Sequence, residues 1–157
     1  MNSRMQILSL CFLVTIISPI CCSQNSYGEG ITPAVANSDP AVYALVQHEI
    51  EYLSGKPENI KSVSIHLSKN KKCEKLILDE EICGTGGCPW LIYSTTERRV
   101  IGRIPLAFLI WVLPRDKNGY VGLEAISKVG WNNFNVSKLE YKNGNFIEIR
   151  RTTRQTP

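Results

Sequence analysis

The chain has 157 residues, 43% of them hydrophobic and 20% charged, with a formal net charge of +4 at neutral pH. That length holds one domain with a real core, and the balance is that of a globular chain, not a disordered one. The basic residues are scattered, apart from Lys69-Asn70-Lys71-Lys72 and Arg150-Arg151-Thr152-Thr153-Arg154. A mild, dispersed excess marks solvated surface and argues against nucleic acid as a partner.

Residues 1–23 read as a signal peptide. Arg4 supplies a short positive start, residues 5–17 (MQILSLCFLVTII) an apolar core, and Ser18-Pro19 a break. That core falls short of the roughly 20 residues of a membrane-spanning helix. Cleavage is expected after Ser23. The competing reading is a lipoprotein anchored at Cys21 or Cys22, although neither follows the small residue that such signals use. Either way the protein is expected to be exported, periplasmic or secreted.

Residues 24–38 (QNSYGEGITPAVANS) are polar and punctuated by Gly and Pro, and are expected to form a flexible linker. Asp39-Pro40 then reads as an N-cap followed by Pro at the first helical position. Val42, Leu45, Val46, Ile50 and Leu53 recur at helical spacing, and Ser54-Gly55-Lys56-Pro57 ends the run. The spacing predicts an amphipathic helix.

Beyond Pro57 the period is two. Val63, Ile65 and Leu67 alternate with Ser62, Ser64 and His66, and residues 73–78 (CEKLIL) form a second strand ahead of Asp79-Glu80-Glu81. Next comes Cys83-Gly84-Thr85-Gly86-Gly87-Cys88-Pro89-Trp90. Glycine reaches backbone regions closed to other residues, so this loop can curl until its cysteines meet. A Cys83–Cys88 disulfide is the natural pairing, contributing roughly 2 kcal/mol of local stiffening. Cys73 is then left as a free thiol or a small buried hydrophobe. A zinc site from Cys73, Cys83, Cys88 and His66 has ligand types but no usual spacing.

Trp90 opens a further strand. Arg98 to Ile104 continues the sheet, and Pro105 separates it from Leu106 to Leu113, apolar on both faces and expected to lie centrally. Residues 114–119 form a turn, and strands follow from Tyr120 to Ile126, Asn135 to Tyr141 and Phe146 to Arg150. Asn143-Gly144 marks a tight hairpin between the last two. Residues 151–157 are expected to fray as a basic tail. The sum is an α+β domain over residues 39–150: one N-terminal amphipathic helix packed on a mostly antiparallel twisted sheet of about six to eight strands.

Through the box from Cys83 to Trp90, with Leu91-Ile92-Tyr93 behind it, the chain resembles a group of small exported bacterial proteins of unassigned activity. These carry a CG-x-GGC box before an apolar strand. Their C-terminal hairpins look like a partial FG-GAP repeat, which implies an acidic loop able to hold calcium. Asp116-Lys117-Asn118-Gly119 matches the start of that loop, but Glu124 is the only acid soon after it. Calcium takes six to eight oxygens, so the turn outweighs the metal site. No metal and no cofactor is expected.

Catalytic patterns are missing. His48-Glu49-Ile50-Glu51-Tyr52 lacks the second histidine of a zinc protease motif, and there is no nucleophile elbow, phosphate loop or C-x-x-C pair. The expected role is therefore non-catalytic: an envelope protein that binds an unknown protein or cell-envelope component. Gly84, Thr85, Gly86, Gly87 and Trp90 are the expected contact residues, because a pinned loop loses little entropy on binding. A narrower alternative is an inhibitor or immunity protein against a cell-wall hydrolase or toxin. The other class is a small hydrolase with no recognisable motif, built on His66, Cys73 or the Asp79-Glu80-Glu81 acids.

Overall fold

The computed structural model describes Gly28, residues 30–69 and residues 73–155. The expected signal peptide lies outside these residues. The described chain forms one ten-stranded sheet curled into a half-barrel. Its strands are β1 (Gly30–Ile31), β2 (Asn37–Ser38), β3 (Ile60–Ile65), β4 (Glu74–Asp79), β5 (Cys88–Ser94), β6 (Arg99–Ala107), β7 (Leu109–Arg115), β8 (Val121–Lys128), β9 (Asn133–Lys142) and β10 (Asn145–Gln155). They lie side by side in the order β1-β7-β8-β9-β10-β6-β5-β4-β3-β2. Every neighbouring pair is antiparallel except β10 and β6, which run parallel and meet at the single pair Phe146 and Gly102.

The α+β expectation is corrected to an almost entirely β fold. Where a helix over Asp39–Leu53 was predicted, only Tyr43–Val46 (α1) is α-helical, flanked by 3-10 turns at Pro40–Val42 and Ile50–Tyr52. Asp39 does not cap it. Its carboxylate instead accepts from Ser62 Oγ at 2.5 Å and pairs with Lys75. Short helices are marginal without tertiary support, and here the tertiary contact favours a bend. The amide of Glu49 bonds back to Val46 O at 2.8 Å in the tighter i to i+3 pattern. That turn lays the Glu49 carboxylate on the sheet, where Arg103 grips both oxygens at 2.7 and 2.6 Å.

Glu49 is 9% exposed and Arg103 half exposed. Removing the arginine strands a buried carboxylate, whereas water can still reach a lone Arg103. Arg103→Ala is therefore expected to cost about 2 kcal/mol in chemical denaturation, and Arg103→Lys, which loses the two-pronged grip, about half as much.

Two apolar clusters explain why β4 and β5 are hydrophobic on both faces. Leu76, Leu78, Trp90 and Ile92 point into the curl and meet Ile65, Ile104, Ile110 and Leu123. Ile77, Leu91 and Tyr93 point outward beneath Val42, Val46 and Ile60. The N-terminal segment thus roofs the outer face.

Three further expectations change. The linker over residues 24–38 is structured from Gly30, with β1 paired to β7 and β2 to β3. The run Leu106 to Leu113 is not one central strand. It bends at Phe108, whose amide donates to Ile126 O at 2.9 Å, and β7 lies next to the sheet edge. Pro105 sits inside β6, within an irregularity of its pairing with β5 and on the side where β10 has already parted from it. The tail expected to fray after Arg151 continues as strand to Gln155, because the Asn143-Gly144 turn sets a hairpin whose pairing reaches Asn133.

Candidate functional site

The Cys83–Cys88 disulfide is present, with Cα atoms 4.2 Å apart. It encloses a minimal hairpin, the Gly84 amide donating to Gly87 O at 2.8 Å and the Gly87 amide to Gly84 O at 3.0 Å. Two of its glycines face protein. A Cβ on Gly87, at φ +123°, would lie 2.3 Å from the backbone of Ala107, and one on Gly86 2.8 Å from Lys128 O. The Lys128 amide donates to Gly86 O at 3.1 Å. The loop is therefore pressed against β6 and β8.

That packing sorts the expected contact residues. Gly84 and Thr85 are exposed, Gly86 is half-buried, and Gly87 and Trp90 are buried. Trp90 is a core residue whose indole donates to Ala107 O at 3.0 Å, so it is closed to a partner. A different tryptophan takes the surface. Trp131, in the loop between β8 and β9, is 95% exposed, and Val129 beside it is 49% exposed. With Thr85, Lys128 and Gly130 they line an open hollow of about 400 Å³. Trp131 escaped the sequence reading as a contact. Its signal was the polar, turn-forming setting Gly130-Trp131-Asn132-Asn133, which no core strand would carry.

The catalytic candidates do not converge. Ile65 pairs with Glu74, so His66 and Cys73 adjoin one end of the β3–β4 pair, while Asp79 faces Ile60 at the other, about 16 Å away along the strand. Cys73 is disulfide-bonded, which corrects the expectation of a free or merely buried thiol. Asp79 is fully buried and accepts from the Ser54 amide and Oγ, both at 2.7 Å, and from the Glu81 amide at 3.0 Å. Glu81 is engaged by Lys56 at 2.6 Å, which holds its carboxyl below the usual range, and by Asn59 at 2.7 Å. Glu80 pairs with Lys61 at 2.7 Å. These acids are ties between segments.

The turn matching the calcium loop is likewise self-satisfied: Asp116 Oδ1 accepts from the amides of Asn118 at 2.8 Å and Tyr120 at 3.0 Å. Among the described residues no three His, Cys, Asp or Glu side chains are grouped to hold a metal ion. Behind that turn Tyr120 stacks on Tyr141 at 3.9 Å, and burial, reinforced by Glu97, pushes the Tyr141 phenol up to about 12.

No family model matches the chain, and no curated protein or solved structure matches it either. The disulfide suits an oxidising compartment. Among the described residues no helix is long and apolar enough to cross a membrane.

Proposed function

We propose that this is an exported, non-catalytic recognition protein of the cell envelope, which meets a macromolecular partner with the end that carries the Cys83–Cys88 loop and Trp131. The observation that carries the reading is the 95% exposure of Trp131 beside a loop locked by a disulfide and by close packing. A bare indole in water is unfavourable, and tryptophan is prominent among residues that dominate binding energy. The loop is already ordered, so little entropy is lost when a partner closes over it. Of the expected contacts, Gly84 and Thr85 remain in this surface, and Trp131 takes the place of Trp90.

The test is photo-crosslinking in the native envelope with benzoylphenylalanine at position 131, and at position 96 as control, in the turn at the opposite end of β5. A discrete protein adduct at 131 and none at 96 is the expected result. Equal labelling at both positions, or adducts to lipid alone, would overturn the proposal.

A further inference from the structure

The last strand has an open edge. Apart from an irregularity at Ile149, β10 pairs from end to end with β9, but on its other side its backbone pairs with β6 only at Phe146. From Ile147 to Gln155 no strand among the described residues occupies that second edge, and nearly every residue there is exposed. Over these nine residues the alternate backbone donors and acceptors that turn away from β9 form a template for another strand.

The charges on this edge select its occupant. Residues that face each other across antiparallel strands share a side of the sheet. The pairs Arg150–Lys138 and Arg154–Phe134 therefore put Arg150, Thr152 and Arg154 on one side with Lys138. Arg151, on the other side, is neutralised by Glu148 at 2.8 and 2.6 Å, and Lys138 shares Glu140 with Lys142. Arg150 and Arg154 have no ion pair among the described residues. A second copy of the chain is disfavoured, since residues 149–155 (IRRTTRQ) hold three arginines and no acid, and self-pairing would set like charges together.

We propose that the outer edge of β10 accepts an extended acidic segment of a partner protein by strand addition, with carboxylates opposite Arg150 and Arg154. The edge leads directly to the surface already described, because Gln155 pairs with Asn133, two residues after Trp131. This inference rests on that reading for its setting and names the chemistry of the partner.

The probe is a fluorescein-labelled decapeptide of alternating Glu and Thr, titrated with the full protein by fluorescence anisotropy at low salt. Binding is expected, weakened at least about tenfold by methylation of alternate backbone nitrogens in the peptide and by the double variant Arg150→Glu/Arg154→Glu. Equal binding of the methylated peptide would overturn strand addition. So would no binding, equal affinity for a Lys-Thr decapeptide or an oligothymidylate, or a concentration-dependent dimer that the peptide does not displace. The two proposals separate cleanly. A position-131 crosslink that persists while no peptide binds removes this inference alone; peptide binding without the crosslink removes the Trp131 surface alone.

Discussion

Asp79→Ala is expected to remove about 4 kcal/mol of stability, measured by urea denaturation with the disulfides intact. The carboxylate is fully buried at the end of β4 and holds three donors from two segments, Ser54 from the N-terminal roof and Glu81 from the turn that enters the disulfide loop. Alanine leaves those donors facing a void, and each buried donor left without a partner costs roughly 1–3 kcal/mol, less where water reaches the half-buried Ser54. Asp79→Asn keeps one acceptor and is expected to lose about half as much. A loss below about 1 kcal/mol for Asp79→Ala would mean that water replaces the carboxylate, and that Asp79 does not tie the roof to the sheet.

Gly87→Ala is expected to be as damaging, at about 4 kcal/mol or more, because its obstacle is backbone. The added methyl would stand 2.3 Å from Ala107 C and 2.4 Å from Phe108 N, at a φ of +123° that side chains rarely adopt. Gly84→Ala is the matched control: nothing lies within 4 Å of its Cβ, and its expected effect is under about 1 kcal/mol. Comparable losses for both would show that the loop needs glycine for flexibility alone. A large gap locates the requirement at the seam between the loop and β6.

The parts of the fold legible in the sequence are those written by neighbours in the chain. The alternation of Val121, Leu123 and Ala125 is a strand with one face in the core. Asn143-Gly144 makes its tight turn with both residues at positive φ. The two cysteines of the glycine loop find each other across five positions. What failed was written by distant residues. The apolar stripe from Val42 to Leu53 looks helical until Arg103, 54 positions from Glu49, draws that carboxylate onto the sheet. The bend at Phe108 is invisible in a run of apolar residues, since periodicity reports burial and not direction. Arginines in the tail suggested fraying, yet the hairpin turn behind them carries the strand pairing on to Gln155. The candidate site was half legible: the locked loop announced itself, but which of its residues face water depends on β6 and β8 beneath it.

The single backbone pair between β6 and β10 has a consequence for how the chain assembles. Apart from that seam and the short β1–β7 pair, every neighbour in the sheet is also a neighbour in sequence. The molecule is thus two meanders, β2 to β6 and β7 to β10, each able to form from local contacts whose loops close cheaply. Joining them is the long-range event, and one place where it needs clearance is Gly102, where a Cβ would lie 2.7 Å from that of Phe146. The absent methyl at Gly102 leaves room for that seam. The halves also close on one another through the shared core and through backbone bonds at Leu67 and Gly86, so the late stage of folding is the simultaneous closing of several distant contacts.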